Sequence, residues 1–130
     1  MQINIKDDLV IVFSGQAGQG IQSIEGMLSS IFKKSGYNYF STSEFMSRVR
    51  GGINSTEIRV SSKRIAGFLD RIDILIPLHQ DAIDHLEKRI TANTVIIGDK
   101  EKIHYKNIID MQFNKIAREI GNSIYSILLQ

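Results

Sequence analysis

The chain has 130 residues, 42% of them hydrophobic and 23% charged, with a formal net charge of +2 and no cysteine. That length suits one domain, 1–130, around one core, and the missing cysteines exclude a disulfide framework, a thiolate nucleophile and an iron–sulfur cluster held by this chain's own thiolates. No apolar run approaches the roughly 18 residues a membrane span needs, and "MQINIKDD" lacks the basic-then-apolar order of a signal peptide, so a soluble, cytoplasmic protein without a membrane partner is expected.

From Leu9, "LVIVFS" is a continuous apolar run bounded by Gly15, the pattern of a strand buried on both faces. A glycine loop, Gly15 to Gly20, follows it. Beyond Gly20 the apolar residues Ile21, Ile24, Leu28 and Ile31 recur at helical spacing, with Lys33 and Lys34 in the last turn and Gly36 placed to end the helix. "YNYFST" predicts a second, shorter strand, and "SEFMSRVRGG" a connection. In "INSTEIRVS" the alternation sets Asn54, Thr56, Ile58 and Val60 on one face and Ser55, Glu57 and Arg59 on the other.

"IDILIPL" is again a continuous apolar strand, with the chain's one proline, Pro77, near its exit. "QDAIDHLEKRI" predicts a helix with Ile83, Leu86 and Ile90 inward, and "TVIIGD" a further buried strand. Phe113, Ile116, Ala117, Ile120, Ile124, Ile127 and Leu128 then form an apolar stripe on a helix that reaches the last residue. The abrupt apolar end, "SIYSILLQ", suggests an incomplete piece or a segment that packs over it. Strands alternating with helices imply an α/β fold: a Rossmann-like open sheet, mostly parallel, with helices on both faces. In such sheets ligands collect at the carboxyl ends of the strands, where the glycine loop lies.

The loop "GQAGQG" supports two readings equally. Unpaired N–H groups and the positive end of the following helix suit a phosphate, with glycines allowing close approach. A tight strand-to-helix turn needs glycine for positive φ, but explains one or two of the three glycines and neither glutamine. As a dinucleotide fingerprint the loop is imperfect, because Ala17 holds the place of the middle glycine. No G-x-x-x-x-G-K-[ST] is present, which excludes a P-loop hydrolase.

A second constellation lies at 48–64. Arg48, Arg50, Arg59, Lys63 and Arg64 stand against the single acid Glu57, a local excess of +4 in a chain whose total is +2. Within it, Gly51 and Gly52 lead into Asn54, Ser55 and Thr56, small polar donors beside arginines whose forks match phosphate oxygens. Taken alone, the segment reads better as a solvated loop and a charge-protected edge strand.

Together, "GQAGQGI", "SRVRGGINSTEIRVS" and "DRIDILIPL" resemble the γ subunit or γ domain of 2-oxoacid:ferredoxin oxidoreductases, the thiamine-dependent enzymes that convert pyruvate, 2-oxoglutarate or related acids to acyl-CoA. The form with Ala17 and "SRVRGG" looks most like the γ portion that opens a fused γ–α chain in anaerobic bacteria and archaea. Family γ domains are longer, so the resemblance implies a segment beyond Gln130. It implies thiamine diphosphate between α and β subunits, iron–sulfur clusters in β or δ subunits, and ferredoxin as the acceptor reached through the complex. This domain is implied to contact coenzyme A through Gly15, Gln16, Gly18, Gln19 and Gly20 in the loop, and through Arg50, Gly51, Gly52, Asn54 and Thr56. No catalytic residue and no metal is assigned to it.

Two other classes fit parts of the chain: a free-standing NAD- or FAD-binding oxidoreductase domain, and a purely structural module whose glycine loop is a subunit contact. Nucleic acid is not an expected partner, since the basic segment lacks interleaved aromatics and a recognition motif. His79, His85 and His104 are at no recognised metal-ligand spacing and read as solvated. Asp70 and Asp73 read as turn caps pairing with Arg71 or the basic loop. Met27, Met46 and Met111 read as core residues; Glu44 stands roughly where a dinucleotide fold places its ribose-binding acid, but Ser41 three residues before it makes a capping box the plainer reading.

Overall fold

The computed structural model describes residues 8–16, 21–45, 52–65, 67, 69–113, 115–116 and 118–121. Among the described residues, six strands form one sheet in the order β2-β3-β1-β4-β5-β6: β1 Asp8–Gln16, β2 Asn38–Phe45, β3 Ile53–Ser61, β4 Ile74–Pro77, β5 Val95–Gly98 and β6 Ile109–Asp110. β1, β4, β5 and β6 are mutually parallel, and β3 is antiparallel to both of its neighbours, β1 and β2. Every strand except β3 therefore runs in one direction. The sheet is α/β and mostly parallel, as its sequence pattern implies.

β1 is apolar from Leu9 to Phe13 because both of its faces are covered there. Val10 and Val12 enter one core cluster with Ile72, Leu75, Ile83, Leu86 and Ile96, beneath helix α2, Gln80–Leu86. Ile11 and Phe13 enter the other with Ile21, Ile58 and Val60, beneath helix α1, Ile21–Lys34. Burial of one such aliphatic side chain contributes about 1.5–3 kcal/mol, so these two clusters are the main attraction holding the helices to the sheet.

α1 ends as expected. Gly36 has φ 81°, its N–H bonds the Lys33 carbonyl at 3.2 Å, and Tyr37 N–H reaches back to Phe32 at 3.0 Å. This is the paired 6→1 and 5→2 arrangement that a left-handed glycine permits. The inward stripe differs by one residue from the expected one: Phe32 packs on the sheet with Ile24 and Leu28, whereas Ile31 is 49% exposed. The expected core positions of Met27 and Met111 are also corrected, since they are 62% and 38% exposed. Ile116 and Ile120 of the C-terminal stripe are exposed as well, and Met46, Ala117, Ile124, Ile127 and Leu128 lie outside the described residues.

α2 is shorter than its sequence pattern. It stops at Leu86 and tightens into one 3-10 turn, Glu87–Arg89, closed by Ile90 N–H to the Glu87 carbonyl at 3.1 Å. Arg89 at the end of that turn donates to Glu57 on β3 and to the carbonyls of Asp70 and Leu69. β2 runs on through Phe45, three residues past its expected end, so Glu44 sits in a strand and not in a capping box. No helix among the described residues is long and apolar enough to cross a membrane.

Candidate functional site

The site is set by one register. β1 pairs with β3 from Asp8↔Ser61 to Gln16↔Ile53, so Gly15 lies opposite Asn54 and Ser14 opposite Ser55. Gln16 leads directly into the glycine loop, and Ile53 directly follows Gly51 and Gly52. The β1 exit and the β3 start, 37 positions apart in the chain, thus meet on one edge of the sheet. Opposed residues of an antiparallel pair have Cα atoms only about 4.5–5.5 Å apart. β2 ends at the same place, with Phe45 opposite Asn54, and β4 ends there too, with Pro77 beside Ser14. This is the carboxyl edge of the parallel strands, flanking the point where the chain, having filled β2 and β3 on one side of β1, crosses to β4 on the other.

Hydroxyls lock the edge from within. Ser14 is fully buried, and its Oγ lies 2.6 Å from Ser55 Oγ. Its carbonyl accepts the Leu78 N–H at 2.7 Å, tying the β4 exit to β1. Thr56 is 1% exposed and shares a hydrogen bond of 3.2 Å with Ser43 on β2, so its hydroxyl is engaged inside the sheet. Gly15 is buried, Asn54 half-buried and Gln16 exposed. Gly52 precedes the strand with φ 64°, in the left-handed region that a side chain disfavours. Of the residues implied to contact coenzyme A, the register gathers Gly15, Gln16, Asn54 and Thr56, with Gly52 one residue outside it. Gly18, Gln19, Gly20, Arg50 and Gly51 lie outside the described residues.

One step inward from the edge, on the α2 side, is a cleft of about 240 Å³. Thr42 and Glu44 of β2, Ser55 and Glu57 of β3, and Leu86 and Arg89 contribute to its lining. His85 Nε2 lies 3.4 Å from Glu44 Oε2. Sequence reading missed this cleft because it ended β2 at Thr42. The signal was available, since the alternation in "YNYFSTSEF" continues through Phe45 and puts Phe40, Thr42 and Glu44 on one face.

At the opposite end of β1, Arg59 forks onto Asp8 at 2.9 and 2.7 Å and donates to the Gly67 carbonyl. Arg71 approaches Asp8 at 3.7 Å and Asp73 at 3.3 Å, and Asp73 also accepts the Val10 N–H at 2.8 Å. The hydrogen bond from Arg59 is the main cause that holds the Asp8 carboxyl below its ordinary value of 3.8; partial burial opposes it, and the charges of Arg59 and Arg71 reinforce it. Arg59 is therefore committed to a structural clasp, away from the carboxyl edge. Among the described residues no group of three or more His, Asp or Glu side chains could hold a metal ion. His79 instead caps α2, its Nδ1 accepting the Asp81 N–H at 3.1 Å.

The family model described as pyruvate ferredoxin/flavodoxin oxidoreductase matches residues 10–128. The chain is also similar in fold to a 2-oxoglutarate:ferredoxin oxidoreductase from Magnetococcus marinus, solved with 2-oxoglutarate, coenzyme A and succinyl-CoA bound: TM-score 0.76, 19% identity, 89% of this chain and 22% of that one. The γ subunit of a keto/oxoacid ferredoxin oxidoreductase from Geobacter sulfurreducens matches with TM-score 0.59 and 23% identity, over 79% of this chain and 59% of that one. The pyruvate oxidoreductase subunit PORC from Thermotoga maritima matches with TM-score 0.57 and 17% identity, over 72% of this chain and 50% of that one. The chain thus spans less than two thirds of each of these proteins, and at these identities the likeness is one of fold. No curated protein matches the sequence.

Proposed function

The chain belongs to the pyruvate ferredoxin/flavodoxin oxidoreductase family, and on that premise we propose that it is the γ component of a cytoplasmic 2-oxoacid:ferredoxin oxidoreductase. The whole enzyme joins a 2-oxoacid and coenzyme A, releasing CO2 and acyl-CoA and passing electrons to ferredoxin. Thiamine diphosphate and iron–sulfur clusters belong to partner α, β or δ subunits in this reading, in keeping with a chain that has no cysteine to ligate a cluster. This domain's part is to hold coenzyme A and to join the assembly, as a γ portion within a longer γ–α polypeptide or as a separate subunit.

The observation that carries the reading is the Gln16↔Ile53 register. It leads both glycine-bearing segments off one edge of the sheet, at the carboxyl ends of the parallel strands, where α/β sheets bind ligands. Backbone donors of Gly18, Gln19 and Gly20 take phosphate oxygens, and Arg50 supplies the matching charge. Gly15, Gln16, Gly51, Gly52 and Asn54 shape the approach, while Thr56 braces it through Ser43. Further support comes from the Magnetococcus marinus enzyme, which has coenzyme A bound and shares this fold.

The dinucleotide alternative fits the topology less well. In a dinucleotide fold the ribose-binding acid ends the strand beside β1. Here β3 intervenes antiparallel, so Glu44 on β2 is two strands from β1, about 10 Å by the usual strand spacing. The test is steady-state kinetics of the purified complex carrying Arg50→Ala or Gly18→Leu. Loss of one charge-assisted hydrogen bond, about 1.5–3 kcal/mol, should raise the coenzyme A KM roughly 10- to 100-fold with the 2-oxoacid KM unchanged. Disturbed assembly with an unaltered coenzyme A KM would establish the purely structural module instead.

A further inference from the structure

The two edges of the sheet are built differently. β6 is two residues long, whereas β2 spans eight, pairs with β3 over all eight without interruption, and has no other strand beside it among the described residues. An open edge offers a row of backbone N–H and C=O groups to a second chain, and natural edges are usually blunted by lysine, proline, a bulge or brevity. β6 has brevity. "NYFSTSEF" contains no Lys, Arg, Pro or Gly, and its one charge is Glu44 near its end.

Aromatic side chains stand open on both faces of this edge. Tyr39 is 38% exposed on the α1 side and Phe40 36% exposed on the α2 side, with Tyr37 50% exposed just before the strand. Pairing another strand here would remove apolar surface from water on both faces at once.

We propose that β2 is an interaction edge that pairs antiparallel with β2 of a second copy of this chain. The strand's own pattern favours that occupant. A two-fold axis at Ser41 sets Asn38 of one copy against Glu44 of the other, an amide facing a carboxylate, and keeps the two Glu44 side chains at opposite ends of the contact. The same axis sets Phe40 against Thr42 and Tyr39 against Ser43, so each partner shares a sheet face with its opposite. The contact is isologous and closes on itself, and among the described residues a two-residue β6 leaves no long second edge from which a fibre could grow. This inference is independent of the anion-binding reading, since it uses none of the residues implied to contact coenzyme A.

The full 130-residue chain tests it by sedimentation equilibrium over a concentration series, with amide hydrogen exchange read over residues 38–45. A dimer with protected β2 amides is expected. Tyr39→Lys and Phe40→Lys, made separately, each place a charge on a different face and should weaken the dimer by at least about ten-fold and speed β2 exchange, with the circular dichroism spectrum retained. Because both side chains are partly exposed, loss of folding in one variant leaves the other to decide. A monomer at every concentration, whether its β2 amides are open or covered by another part of its own chain, would overturn the proposal. So would a dimer whose β2 amides exchange freely, or assembly beyond the dimer.

Discussion

Gly15 on β1 lies directly opposite Asn54 on β3, although 39 positions separate them in the chain. The pairing is antiparallel inside an otherwise parallel sheet, so the end of β1 and the start of β3 share one edge. A wholly parallel arrangement would have put them at opposite ends of the sheet. The inserted β3 is therefore what brings Gln16, at the foot of the glycine loop, opposite Ile53, next to Gly52.

Just below that edge, the Ser14 and Ser55 hydroxyls form a buried pair at 2.6 Å. Ser55→Ala leaves the buried Ser14 hydroxyl without this partner, which should cost about 1–3 kcal/mol in urea unfolding. Removing both hydroxyls should cost less than the sum of the two single changes, because neither orphan remains. An additive double-mutant cycle would show that the two hydroxyls act independently.

The Asp8 clasp gives the fold a defined acid dependence. Arg59, by its hydrogen bond, lowers the folded-state pKa of Asp8, so the unfolded chain takes up the proton first. The stability it contributes is fully present above the unfolded value near 3.8 and is lost as pH falls through the lower folded value. Asp8→Asn should flatten stability against pH in that acid window and leave the curve between pH 6 and 8 parallel to the wild type. Unfolding midpoints measured across the acid range check this, and an unchanged acid slope would count against it.

Much of this was legible in the sequence, and the reason differs element by element. β1 announced itself because both of its faces are covered, and α1 because Ile24, Leu28 and a left-handed Gly36 give period and stop together. Ile31 misled because it shares the spacing while Phe32, one position on, has the better angle to the sheet. β6 carried no signal, since two residues hold no period. The pairing of Gln16 with Ile53 was beyond any local pattern, because strand register over 37 positions is a property of the folded sheet. The cleft beside Glu44 was lost for a local reason: Ser41 and Glu44 mimic a helix start, yet the strand continued.

Gly98 ends β5 against the core, and a methyl group there would lie 3.1 Å from Ile108 Cδ1, 3.4 Å from the Pro77 carbonyl and 3.6 Å from Ile103 Cγ1. Ile103 and Ile108 are buried, so neither has open space to yield into. Gly98→Ala should lower stability by roughly 1–3 kcal/mol through overpacking. Ile108→Val removes the closest atom and should recover part of that loss in the double variant, although alone it costs about 0.5–1.5 kcal/mol. Thermal melts of the four proteins decide it, and a double variant no better than the sum of the singles would place the strain elsewhere.

Gly52 joins stability to the proposed ligand site. With φ 64° it turns the chain into Ile53, which faces Gln16 at the foot of the glycine loop. Alanine at such an angle costs roughly 1–2 kcal/mol, whereas asparagine visits it with a smaller penalty. Gly52→Ala should therefore lower the unfolding midpoint and, by pulling the β3 start away from the β1 exit, raise the coenzyme A KM of the assembled enzyme. Gly52→Asn should restore most of the stability and part of the affinity, because it recovers the backbone while adding a side chain at the edge. The 2-oxoacid KM should stay level in both variants, because the proposed function gives this domain the coenzyme A side and places the thiamine diphosphate that attacks the 2-oxoacid in partner subunits. If Gly52→Ala melts early yet binds coenzyme A as well as the wild type, the edge shaped by this register does not form the coenzyme's seat.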